Sequence, residues 1–123
     1  MHLQKNTPMV WAAVAWTVLI FILLVIPEGN LAKKGFLGLS HLDKVAHVFL
    51  FFLFVVLWHQ ALYPGQRGGT TAKMAVELSL LSFIYGTGME FVQALFTSRA
   101  FEWLDILADG IGAYAGYLWA VRR

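Results

Sequence analysis

Residues 8–26, PMVWAAVAWTVLIFILLVI, hold no charged side chain and stop at Pro27. At about 1.5 Å of rise per residue, such a run crosses a hydrocarbon core of roughly 30 Å as one helix. Lipid offers no water to the backbone, so a chain carrying this run is committed to hydrogen bonds within helices. Thr7 before Pro8 suits a cap followed by proline at the first helical position. A cleaved leader would be shorter and end on small residues, and "PEGN" supplies no such site. The run is therefore read as a retained helix.

Three further spans follow at residues 43–63, 72–96 and 101–121, joined by segments 27–42, 64–71 and 97–100. "PGQRGGTT" at 64–71 is a proline–glycine turn, while "TSRA" at 97–100 forces a tight one. No repeat and no stretch with the composition of a soluble domain remains. Trp11, Trp58, Trp103 and Trp119 fall near span ends, where indole rings form interfacial belts. The expectation is a single all-α domain, an integral membrane four-helix bundle embedded in the lipid bilayer.

Composition agrees. Of 123 residues, 59% are hydrophobic and 13% charged, against about 45–50% and 25% in soluble chains. A net charge of +2 with no basic run argues against a nucleic-acid partner. The absence of cysteine removes thiolate metal sites, disulfides and thiol nucleophiles. Four spans put both termini on one side. Lys5, Arg67, Lys73, Arg122 and Arg123 fall there, and Lys33, Lys34, Lys44 and Arg99 on the other. If Lys44 and Arg99 belong to a site, the basic bias places both termini in the cytoplasm.

With that orientation the ionisable groups collect in one layer. Asp43, Lys44 and His47 open the second helix; Glu90 and Gln93 close the third; Arg99 sits in the outer turn; Asp105 and Asp109 begin the fourth. All lie within roughly 12 Å of the same membrane face, counting helical rise. Asp43 and His47 share a face at i, i+4, as do Asp105 and Asp109, and Glu90 and Gln93 at i, i+3. Ala108, Gly112 and Gly116 extend the aspartate face as a small-residue strip that permits close helix contact. Gly86, one turn before Glu90, suits the same role on the third helix.

A charge at the bilayer centre costs about 2.5–3.5 kcal/mol on insertion scales, and less toward the interface. Asp43, Glu90, Asp105 and Asp109 oppose only Lys44 and Arg99. A protonated carboxyl, a protonated His47 or a bound cation must make up the difference. Blander readings stand beside this one. "SHLD" at 40–43 fits a capping box, and Glu102 and Asp105 complement a helix N-terminus. Lys73 and Glu77 fit an interfacial pair, and His41 and His59 boundary positions.

Three functions fit the layer. In the first, His47 with Glu90 or Asp105 supplies acid–base chemistry. Lys44 and Arg99, with Gln93, Asp109 and Asp43, then hold a lipid-linked or polar headgroup. A metal held by His47, Glu90, Asp105 and Asp109 is a sub-case without a recognised spacing. In the second, the carboxylates carry protons or cations through a small transporter, although such sites sit near the midplane. In the third, the ions only lock the helices. Whether the chain is an enzyme, and with what cofactor, is left open at this level.

The same residues carry a resemblance. "DKVAH" at 43–47, "GTGMEFVQ" at 86–93, Arg99 and "DILADGIG" at 105–112 are similar, in order and spacing, to the VanZ-like family of small bacterial membrane proteins. The likeness covers about residues 40–120; Asp109 stands where that family often has asparagine. It implies a multi-pass protein of the bacterial cytoplasmic membrane and a contribution to glycopeptide (teicoplanin) resistance. It implies no particular reaction.

Overall fold

A computed structural model describes residues 7–25, 40–63, 72–96 and 103–122. They form four α-helices: α1 (Thr7–Val25), α2 (Ser40–Leu62), α3 (Ala72–Phe96) and α4 (Trp103–Arg122). α2 begins a turn earlier than its apolar run suggests, because Ser40–Asp43 has no breaker and the helix continues back through it. It ends at Leu62, since Pro64 steers the preceding residue away from helical angles. The Tyr63 amide still donates to the His59 carbonyl at 2.9 Å, closing the last turn.

Three helices are long and apolar enough to cross a membrane: residues 7–25, 44–62 and 72–96. α4 falls short of that composition, whereas the sequence pattern suggested four equivalent spans. The cause lies on one face. Asp105, Asp109, Gly112 and Gly116 lower its apolarity, and all four are buried against the bundle. Leu104, Leu107, Ile111 and Tyr114 of the same helix point outward. Outward apolar side chains are the rule elsewhere too, as with Val18 and Ile22 on α1 and Leu80 and Ile84 on α3. Such a surface suits lipid.

α2 packs on all three other helices, and α3 joins it in contacting both α1 and α4. Among the described residues α1 and α4 do not touch. α2 and α4 run in the same sense, since Lys44 meets Asp105 and Val55 meets Gly116. α3 opposes α4, with Gly86 at Asp109 and Phe83 at Gly110. The apolar centre is Ile20, Leu24, Leu50, Phe51, Phe54, Val55, Leu78 and Met89. Tyr85 stands among its rings, 5.9 Å from Phe51 and 5.6 Å from Phe54.

The α2–α4 seam depends on small residues. Ala108, Gly112, Gly116 and Ala120 recur every fourth residue and are all buried. A Cβ on Gly112 would collide with the Val48 carbonyl oxygen and stand 3.1 Å from the Phe52 nitrogen. One on Gly116 would lie 2.5 Å from the Val55 Cβ. The strip expected from the sequence is thus where backbone meets backbone.

α1 is fastened by polar bonds instead. The Trp16 Nε1 donates to the Leu50 carbonyl at 2.9 Å. The Trp58 Nε1 donates to the Thr17 Oγ1 at 2.9 Å, which itself donates to the Ala13 carbonyl at 2.9 Å. The Tyr85 hydroxyl donates to the Thr17 carbonyl at 2.7 Å. Trp58 therefore turns inward rather than serving only as a belt residue, and Trp119 is half-buried. Trp11 and Trp103 are exposed as expected. Thr17→Val removes the acceptor for Trp58. It is expected to cost about 0.6–1.7 kcal/mol, the range for membrane interhelical hydrogen bonds, measured by thermal unfolding in detergent.

Candidate functional site

The site is assembled mainly by α2 and α4, whose parallel course brings their first turns together. Lys44 and His47 are three residues apart on α2, and Asp105 and Asp109 four apart on α4. Each pair therefore presents both members to the other helix. The close seam at Gly112 draws the two faces into contact.

The Lys44 Nζ lies 2.6 Å from the Asp105 Oδ1. The His47 Nδ1 lies 2.7 Å from the Asp109 Oδ1, and its Nε2 lies 3.8 Å from the Asp105 Oδ2. One imidazole thus stands between two carboxylates. Its exposure is 2%, and that of Asp109 is 0%. The Lys44 side chain, at 22%, is the member nearest the outside. The Phe51 ring, 6.4 Å from the imidazole and tilted by 30°, walls the site toward the apolar centre.

α3 closes the site from a third side. A Cβ on Gly86 would stand 2.5 Å from the Asp109 Oδ2, so only glycine lets α3 approach this carboxylate. One turn further on, Glu90 is buried at 1% exposure. Glycine before glutamate is thus a local device: the first makes room for Asp109 and the second brings another carboxylate to the same end. Gln93, one turn beyond Glu90, is also buried. Its Nε2 donates to the Leu24 carbonyl at 2.7 Å. α1 ends at Val25, so that carbonyl is among the last four, which have no partner within the helix. The glutamine clasps α3 to the end of α1.

Of the residues singled out in the sequence, Lys44, His47, Asp105 and Asp109 are joined, with Glu90 buried beside them on α3. Arg99 and the side chain of Asp43 lie outside the described residues, as do Glu102 and the side chain of His41. Among the described residues, no three His, Asp or Glu side chains are grouped to hold a metal ion. His59 lies in the last turn of α2, at the end of the span as expected, and is fully buried within the bundle. Its ring meets Trp119 edge-on at 6.0 Å and Tyr63 at 5.6 Å. Its spacing held the clue, because it follows Val55 by four and so continues the α4-facing stripe of α2.

Chemically, an ionised Asp109 accepts from the Nδ1–H, which leaves Nε2 as the basic nitrogen of the neutral ring. The same carboxylate stabilises the imidazolium when Nε2 takes a proton. Lys44 balances Asp105. The arrangement holds a buried imidazole in one orientation between two carboxylates.

These features define a helical membrane protein with a buried, mixed-charge cluster at one end. The sequence model of the VanZ/LLP1 family matches residues 3–122, and the chain belongs to that VanZ-like family. A fission yeast protein (Schizosaccharomyces pombe), itself uncharacterized, is 33% identical over 93 residues. That alignment takes in 76% of this chain and 55% of the yeast protein, so the chain corresponds to about half of that relative's length. No solved structure matches it.

Proposed function

We propose that this protein binds the polar head of a lipid-linked substrate at one end of the bundle and performs acid–base chemistry on it. The observation that carries the reading is the imidazole of His47, held at 2.7 Å by Asp109 in a cluster that also contains Lys44 and Asp105, with Glu90 buried on α3 one turn from the Gly86 that packs on Asp109. A purely structural ion pair has no need of a histidine oriented by one carboxylate and flanked by a second. The Lys44 side chain marks the approach, since it is the cluster member left partly open.

Family membership favours the bacterial cytoplasmic membrane, and the basic-residue bias favours both termini cytoplasmic with the cluster at the outer leaflet. Family membership supports a role in the envelope, with glycopeptide (teicoplanin) resistance as its outward effect. A relative in a fungus, an organism without peptidoglycan, favours a lipid headgroup over a wall polymer as the shared substrate. Transport of protons or cations is less well supported, because the cluster sits at one end rather than at the midplane.

The test compares wild type, His47→Gln and an empty vector for membrane headgroup composition and teicoplanin susceptibility. Wild type is expected to shift the headgroup pool and raise resistance. His47→Gln should lose about 10²–10⁴-fold in turnover, the usual contribution of a positioned acid–base group, while membrane yield stays unchanged. Undiminished headgroup turnover in His47→Gln would refute the reading.

A further inference from the structure

The two nitrogens of His47 face different carboxylates, and the acid–base reading uses only one of them. We infer that His47 is a proton relay between Asp105, at the partly open end of the cluster, and Asp109, at its buried end. This rests on the proposed acid–base site and adds the route by which that site exchanges protons with its surroundings.

The geometry lays out the path. Lys44 is 22% exposed and its ammonium lies 2.6 Å from the Asp105 Oδ1. The other oxygen of that carboxylate lies 3.8 Å from the His47 Nε2. The opposite nitrogen, Nδ1, lies 2.7 Å from the Asp109 Oδ1. The Asp109 Oδ2 in turn faces the α3 backbone at Gly86, one turn from Glu90. Among the described residues, the ionisable groups buried at this end are therefore Asp105 and Asp109 on α4, His47 on α2 and Glu90 on α3, with Lys44 of α2 at the opening.

One transfer balances as follows. Asp105, protonated from outside, gives its proton to Nε2, while the Nδ1 proton passes to the Asp109 carboxylate. One N–H bond forms and one breaks, so the ring ends as the opposite tautomer with no change in charge. Asp105 is left as a carboxylate beside the Lys44 ammonium, which stabilises it. Asp109 now holds the proton at the closed end. The Nε2 contact is longer than a hydrogen bond, and a rotation of the Asp105 carboxylate or one bridging water spans it. The Nδ1 contact needs no adjustment. Lys44 acts here as a positioning residue, because it fixes the Asp105 carboxylate without touching the ring.

The test is nitrogen-15 spectroscopy of the histidine-labelled full chain in lipid nanodiscs, with His47→Gln assigning the His47 signals. A relay visits both tautomers, so the two ring nitrogens of wild type are expected at averaged positions. Asp105→Asn cannot deliver the proton and should separate them into the fixed pair of a single tautomer. Asp105→Glu should restore averaging, which a merely structural role of Asp105 would not. A fixed single tautomer in wild type across the pH range of stable folding would overturn the relay, and that result needs no variant to fold. The two readings fail separately. A fixed wild-type ring together with lost turnover in His47→Gln removes the relay and keeps the acid–base site. An averaged ring with turnover intact in His47→Gln keeps the relay and removes that site.

Discussion

Gly112→Ala is expected to lower the thermal midpoint of the purified protein more than any other single-methyl change in the bundle. The added carbon would collide with the Val48 carbonyl oxygen and crowd the Phe52 nitrogen, both backbone atoms that no rotamer change can move. The helices must separate, and overpacking of this kind costs about 1–3 kcal/mol or more. Separation also pulls the Lys44 and His47 face away from Asp105 and Asp109, so the variant should lose activity beyond its loss of stability. Gly88→Ala is the control. Nothing lies within 4 Å of the added carbon there, and alanine exceeds glycine in helix propensity by about 1 kcal/mol. Its midpoint should be unchanged or raised. Equal losses at the two positions would show that the effect is general to the helices and not a property of the α2–α4 seam.

The second large effect concerns the ion pair. Lys44→Met strips Asp105 of its ammonium and leaves a carboxylate at 4% exposure without that compensation. Breaking a buried pair in this way costs about 3–5 kcal/mol, whereas replacing both partners with apolar groups is often neutral or stabilising. Lys44→Met combined with Asp105→Leu should therefore recover the midpoint that Lys44→Met loses. It should not recover headgroup turnover. That division separates a working cluster from a brace: a double variant that is stable and fully active would mean the ions only hold helices together. The pair is partly open, so the single-variant loss is expected at the lower end of the range.

Much of this fold is legible in the residues because lipid imposes a simple rule on length and polarity. α3 runs from 72 to 96 as its pattern suggests, and α1 differs from its apolar run by one residue at each end. The α2–α4 half of the site was legible for a related reason. The spacing of four residues places Asp105 with Asp109, and the glycine strip says which face is shared. On α2 the same spacing pairs His47 with Asp43, whose side chain lies outside the described residues, whereas Lys44 is the α2 residue found beside His47 at the aspartates. Gln93 was not legible as a clasp, since its partner is a backbone carbonyl fixed only by the register of α1 against α3. Trp58 misled for the same reason: its indole is drawn inward by Thr17, which lies on another helix and leaves no sign in the sequence around Trp58. His59 is near the end of a span as its position suggests, and its burial shows only once Trp119 is placed against it.

 Two separations explain these misses. Gln93 and Leu24 are 69 residues apart, and Trp58 and Thr17 are 41 apart. Contacts that distant leave no mark on the local pattern of either helix.

The uneven apolarity of the helices has a consequence for how the protein is made. Of the four described helices α1 is made before the others, and as the most apolar it can enter the bilayer alone. α4 follows the other three and is the one that composition alone does not qualify to cross. Its aspartates and glycines are acceptable in lipid only against α2 and α3, so those helices must already be present as a template when it arrives. The ionisable cluster is then completed only when α4 docks, and a chain arrested before α4 would carry Lys44 and His47 but not the two aspartates that face them.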